Sequence, residues 1–186
     1  MLLESGQSTV FLDRDGVINE RAPEGDYVRR WEDFRFIAGT VDTLRALTAR
    51  GHRLIVVTNQ RGVARGLMSQ ETVDDIHRRM ISELAAAKVR ISAVYYCPHE
   101  QGTCDCRKPK PGMLYRAQSE FPDIDLAHAF VVGDTETDVM LGSAVGAATI
   151  LLGVERPLRM TVQPTFVATS LREALANGYF DGNLGK

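Results

Sequence analysis

The stretch Ser8-Thr9-Val10-Phe11-Leu12-Asp13-Arg14-Asp15-Gly16 decides the fold. A short β-branched and aromatic run without helical period stops abruptly at two carboxylates and a glycine, as a buried strand does where it turns. The same design returns along the chain as RLIVVTN at 53–59, ISAVYYC at 91–97, AFVVGD at 129–134 and ATILL at 148–152, with a weaker TFVA at 165–168. Such near-continuous apolar runs suit strands buried on both faces. Helical spacing fills the gaps. Val41, Leu44 and Leu47 follow Thr40 as an expected cap, with Gly51 as the stop. Val73, Ile76, Met80, Leu84 and Ala87 form an apolar stripe behind Ser69. A third helix is expected between Pro111 and Pro122, and a fourth after Thr135. Alternating strands and helices predict an α/β fold with a doubly wound, Rossmann-like parallel sheet, whose ligands gather at the carboxyl ends of the strands.

With 186 residues, 44% hydrophobic, the chain has the size of one domain spanning 1–186, without internal repeat or linker. A formal charge of −2 with no isolated basic run speaks against a nucleic-acid or anionic-membrane partner. The N-terminus has no basic start or long apolar region, and no run of about 18 apolar residues occurs, so a cytoplasmic protein is expected. The terminal DGNLGK is expected to fray, and the charged connection from Asn19 to Ile37 is long enough to be functional or mobile.

The carboxylates carry the chemistry. Asp13 and Asp15 leave the first strand, and Asp134 leaves the fourth with Asp138 four residues on. Acids converging from separate strand ends repel one another unless a cation lies between them, and Mg²⁺, with few protein ligands and room for phosphate oxygens, meets that need. Phosphoryl transfer also needs donors around the equatorial oxygens, for which Thr58 at the end of the second strand and Lys108 after the third are candidates. Taken singly, each of these residues is also an ordinary turn or loop residue. For Asp138 two readings stand together: part of the acidic site, or a cap in Thr135-Glu136-Thr137-Asp138 that supports the helix start and the metal ligands from behind.

Cys97-Pro98-His99 and Cys104-Asp105-Cys106 place three thiols and an imidazole within a loop at 97–106. CxH and CxC pairs on facing arms suit a closed Cys₃His site, the mark of structural zinc, in preference to three reduced cysteines beside a surface histidine. His52, His77 and His128 lie outside the cluster and read as structural.

Taken together, DRDGVI, VVTNQ, RKPKPG and VVGDTETD, in this order at strand ends, resemble the four signature motifs of the haloacid dehalogenase-like phosphatases over about Val10 to Leu152. The resemblance implies that Asp13 is the nucleophile and that Asp15 is the acid and then the base. It gives Thr58 and Lys108 the phosphoryl oxygens, and Mg²⁺ to Asp13, Asp134 and the Asp15 carbonyl. A zinc loop before RKPKPG resembles the branch that holds heptose 1,7-bisphosphate 7-phosphatases and histidinol-phosphate phosphatases. In that branch NQRGVARG, with Asn59, Gln60, Arg61 and Arg65, together with Asn19 and Arg107, would meet the substrate, a small sugar phosphate. Two departures are visible: the gap from His99 to Cys104 is short, as in the histidinol-phosphate type, and NERAPEGDYV at 19–28 is longer than the heptose pattern. No large cap insertion is present. A non-catalytic zinc-stabilised module would tolerate loss of one of these acids or cations, and a nucleic-acid 3′-end phosphatase would need a basic track.

Overall fold

The computed structural model describes residues 8–23, 25–153 and 160–181. Six strands form one parallel sheet: β1 (Thr9–Leu12), β2 (Arg53–Asn59), β3 (Ile91–Cys97), β4 (Phe130–Gly133), β5 (Ala148–Leu152) and β6 (Phe166–Ala168), in spatial order β3-β2-β1-β4-β5-β6. Helices α1 (Thr40–Ala49), α2 (Gln70–Ala86), α3 (Gly112–Glu120), α4 (Glu136–Ala144) and α5 (Leu171–Ala176) alternate with the strands. The expected doubly wound fold is the observed one. The frayed end expected for DGNLGK lies, beyond Asp181, outside the described residues.

Strand alternation divides the core into two layers. Val10 and Leu12 point to the side packed by Leu44 and Leu47 of α1, Ile76, Met80 and Leu84 of α2, and Leu171 of α5. Phe11, Ile55, Val57 and Val131 point to the other, against Met113, Leu114 and Ala117 of α3 and Leu141 of α4. Each of these side chains larger than alanine, fully removed from water, contributes about 1.5–3 kcal/mol. That stability makes the strand ends a rigid platform.

Two local expectations need correction. Thr40 does not cap α1: it is the first helical residue, and Gly39 at φ +80° holds the cap position. The chain enters α1 through a turn in which Thr40 N–H donates to the Ile37 carbonyl, and this turn needs the left-handed backbone that glycine adopts freely. The Thr40 hydroxyl instead donates to the Val17 carbonyl at 3.3 Å. In α2 the stripe is as expected through Leu84, but Ala87 is the half-buried C-cap, and His77 joins the buried face. Ser69 does cap α2, accepting from Thr72 N–H at 3.2 Å.

Among its described residues the connection from Asn19 to Ile37 contains one 3₁₀ turn, Trp31–Asp33. It is tied at both ends, because Asn19 forms bridges with Asp15 and Phe36. Val28 and Phe34 anchor it to the core. Residues 21–23 and 25–28 thereby lie beside the strand ends.

Candidate active site

β1 lies between β2 and β4, with Leu12 opposite Val56 and Val132. Asp13 N–H donates to the Val132 carbonyl at 2.9 Å, so the ladder runs one residue past the strand and fixes the Asp13 backbone. Its carboxylate receives the Lys108 ammonium at 2.9 Å. The same Lys108 Nζ lies 2.6 Å from Asp138 Oδ1, and both partners of that pair are buried. A buried ammonium between two carboxylates is held by mutual compensation: burial works against its charge, yet Asp13 and Asp138 raise its pKa above the usual lysine value. Burial in turn pushes Asp13 up to about 7, opposed by Lys108 and assisted by the charges of Asp138 and Asp15.

Lys108 is also held through its backbone. Asn59 Nδ2 donates to the Lys108 carbonyl at 3.2 Å, and Asn59 Oδ1 accepts from Lys108 N–H at 3.1 Å. This reciprocal pair ties the loop after β3 to the end of β2.

Asp15 is set in a ring of donors. Arg14 Nη2 reaches both of its oxygens at 2.8 and 2.9 Å, Asn19 Nδ2 donates at 2.9 Å and Gln60 Nε2 at 2.8 Å. Burial alone would raise this carboxyl, but Arg14, Asn19 and Gln60 together hold it below the ordinary aspartate value. Arg14 is fully buried, and its other arm lies 3.2 Å from His77 Nε2. Burial, with Arg14 alongside, lowers His77 to about 3, so its imidazole is neutral and free to accept that hydrogen bond. Gln60 also donates to Thr58 Oγ1 at 3.0 Å, which joins two strand-end residues in one network.

On the opposite side Asp138 closes the start of α4: its Oδ2 accepts from the Thr135 N–H at 3.2 Å and the Thr135 hydroxyl at 2.5 Å. Both oxygens are thus engaged, one by the cap and one by Lys108. Asp134 meets Arg21 instead, with Nε 2.5 Å from Oδ2 and Nη2 2.6 Å from Oδ1. One oxygen each from Asp13, Asp134 and Asp138 lie within 4.8 Å of one another. Three carboxylates this close suit a hard divalent cation such as Mg²⁺.

These groups face a cavity of about 350 Å³ lined by Asp13, Asp15, Thr58, Asn59 and Lys108 on the strand-end side. Arg21, Pro23, Tyr27 and Val28 form its other wall, with Thr135 and Thr137 at the rim. Asn19 and Gln60 are buried beneath the cavity and act on Asp15 rather than lining the space. Arg61, Arg65 and Arg107 do not line it either. Arg61 Nη1 donates to Glu100 at 3.1 Å, with Arg65 3.6 Å from the same carboxylate, and Arg107 Nη1 is buried without a hydrogen-bond partner. Sequence reasoning did not single out Arg14, Arg21 or Tyr27, and it read His77 as structural, which its buried contact with Arg14 bears out. The one signal for Arg21 and Tyr27 was the unusual length of their connection.

Gly16 makes the crossing possible. Its φ is +90°, and a Cβ there would collide with the Asp134 carboxylate and Arg21 Nε. Gly16→Ala should destabilise the protein by roughly 1–3 kcal/mol through backbone strain and overpacking. Denaturant unfolding with an unchanged midpoint would contradict this account.

The cysteine cluster is assembled as a second centre. Cys97 Sγ lies 3.5 Å from Cys104 Sγ and 3.6 Å from His99 Nδ1; Cys106 Sγ lies 3.4 Å from Cys104 and 3.2 Å from His99. A tetrahedron with zinc bond lengths has edges of about 3.5–3.8 Å, so the four donors could hold Zn²⁺ with little movement. Asn59 pairs with Cys97 in the sheet, and Gln60 N–H donates to the Cys97 carbonyl at 2.8 Å. The cluster therefore begins where the network of Asn59 and Gln60 ends.

A family model described as HAD-hydrolase-like matches residues 105–174. The chain is 41% identical over 175 residues to D-glycero-beta-D-manno-heptose-1,7-bisphosphate 7-phosphatase of Vibrio cholerae, a match covering 89% of this chain and 91% of that protein. The chain belongs to the haloacid dehalogenase-like phosphatases. Another member of this phosphatase family, D-glycero-alpha-D-manno-heptose-1,7-bisphosphate 7-phosphatase of Mycobacterium tuberculosis, is 43% identical over 143 residues, covering 76% of this chain and 75% of its own. The crystal structure of D,D-heptose 1,7-bisphosphate phosphatase from B. bronchiseptica, complexed with magnesium and phosphate, superposes with a TM-score of 0.79 at 29% identity. That superposition covers 93% of this chain and 98% of the other. Among the described residues no helix is long and apolar enough to cross a membrane.

Proposed function

We propose that this phosphatase removes the 7-phosphate of D-glycero-D-manno-heptose 1,7-bisphosphate and leaves the 1-phosphate in place. The observation that carries the proposal is the convergence of Asp13, Asp15, Thr58 and Lys108 on one cavity, in a chain so similar to relatives named as 7-phosphatases. Asp13 attacks phosphorus and becomes an aspartyl-phosphate; water then releases orthophosphate. Asp15 protonates the leaving sugar oxygen and afterwards takes a proton from that water. The ring around Asp15 favours its ionised form, which suits the second step, and the phosphoryl dianion arriving beside it favours protonation for the first. Lys108 and Thr58 offer donors to the phosphoryl oxygens.

Mg²⁺ would be held by Asp13, Asp134 and the Asp15 carbonyl, and when bound it neutralises charge on the transferring group. Asp138 orients Lys108 and the start of α4 from behind. Zn²⁺ would be held by Cys97, His99, Cys104 and Cys106, and its task is to fix the loop that carries Arg107 and Lys108. Arg107, with its buried unpaired Nη1, is the candidate for the phosphate that is retained. Arg61 and Arg65 join it only by leaving Glu100.

Steady-state comparison of both anomers of the heptose bisphosphate with histidinol phosphate tests the assignment. The bisphosphate should have the higher kcat/KM by at least about 10²-fold, since histidinol phosphate brings a cationic end to a cavity already lined by Arg21 and Lys108. Phosphorus NMR of the product should show the anomeric phosphate intact. A higher kcat/KM for histidinol phosphate would overturn the substrate and leave the reaction class standing.

A further inference from the structure

Arg21 stands out among the residues around the cavity. It comes from the long connection rather than from a strand end, its side chain is half exposed, and it grips both oxygens of the largely buried Asp134. Gly16, bare of a side chain and at positive φ, leaves the space in which the two side chains meet. A carboxylate whose two oxygens are engaged by one guanidinium fork has little left to offer a divalent cation. Asp138 gives no relief, because its oxygens are occupied by Lys108 and Thr135.

We propose that Arg21 and the divalent cation compete for Asp134, and that the cation, on binding, hands the Arg21 guanidinium to phosphate oxygens of the ligand in the cavity. This rests on Asp134 being a cation ligand, and it is independent of which sugar phosphate is the substrate. Arg21 already lines the cavity opposite Lys108 and Thr58, so the transfer needs a side-chain rotation and no movement of the fold. No covalent step is involved. Cation and phosphate would then bind with positive coupling, because each removes a competitor of the other, and linkage makes that coupling reciprocal. Arg21 thus sets the order in which the site fills and then binds the ligand itself.

Mn²⁺ binding, read by electron paramagnetic resonance of the free ion, tests this without turnover. In the full-length protein Arg21→Gln should bind Mn²⁺ about 10-fold more tightly than wild type. Orthophosphate at saturating Mn²⁺ should bind it about 10-fold more weakly. Arg21→Lys keeps the charge and loses the fork. It should move toward Arg21→Gln in Mn²⁺ affinity if the paired hydrogen bonds are what compete. If it stays at the wild-type value, general charge repulsion accounts for the effect and the proposal falls. Equal Mn²⁺ affinity in wild type and Arg21→Gln, or unchanged orthophosphate affinity, also overturns it. Asp134→Asn separates the two levels: wild-type Mn²⁺ affinity there removes the cation reading itself, whereas lost Mn²⁺ binding beside an inert Arg21→Gln removes only the competition.

Discussion

Asp13→Asn should fold as the wild type does and lose turnover by on the order of 10⁴-fold or more, because an amide cannot attack phosphorus. The substitution is nearly isosteric, and the backbone hydrogen bond to Val132 that fixes residue 13 does not involve the side chain. It also removes one of the two charges that hold the Lys108 ammonium, leaving Asp138 as its buried partner. Because burial already disfavours the Asp13 charge and Asp138 still pairs with Lys108, the stability should change little. Asp15→Asn should lose about 10²–10⁴-fold, through the acid and the base together. Rapid-quench measurements distinguish the two variants: phosphoenzyme should accumulate in Asp15→Asn, whose hydrolytic step is impaired, and never form in Asp13→Asn. A wild-type rate in Asp13→Asn would remove the nucleophile from the mechanism.

The other large effect concerns the cysteine cluster. Purified protein should carry about one zinc per chain, and Cys104→Ser should lose it. Structural zinc sites bind with apparent free energies of roughly 10–16 kcal/mol in small peptides, and a fraction of that lost from this loop is a large share of a domain's stability. The melting temperature should fall by many degrees, and activity should fall with it, because the loop leads directly into Arg107 and Lys108. Saturating Mg²⁺ should not restore either. Metal analysis of chelator-free protein showing no zinc, or a Cys104→Ser variant with an unshifted melting curve, would show that the cluster is not a metal centre.

How much of this was legible beforehand depends on the kind of residue. Strand ends are written in period and punctuation: RLIVVTN, ISAVYYC and ATILL became β2, β3 and β5 residue for residue. The acids and cations nearest those ends carry strong local signals, and the cavity brings Asp13, Asp15, Thr58 and Lys108 together. Residues whose work depends on a distant partner gave no such signal. Arg14 carries no local signal of burial, yet it is fully buried between Asp15 and His77, the latter 63 positions away in α2. Arg61 and Arg65 read as free anion donors, and Glu100 in the cysteine loop engages both. The placement of Gly39 at the cap of α1 was hidden for a related reason: the turn from Ile37 that requires it is a matter of chain path, not composition.

The connection between Asn19 and Ile37 leaves and re-enters the fold at neighbouring points, pinned where Asn19 meets both Asp15 and Phe36. To a polymer physicist it is a closed loop, and lengthening such a loop is cheap: each doubling costs only about 0.6 kcal/mol in closure entropy. The extra residues of NERAPEGDYV therefore tax folding very little, while they change the wall that a ligand meets. A change of length in this connection would reshape the cavity mouth and leave the strand-end hydrogen bonds of Asp13 and Lys108 in place. The wall that meets a ligand and the strand ends that hold Asp13 and Lys108 are thus separable parts of one cavity.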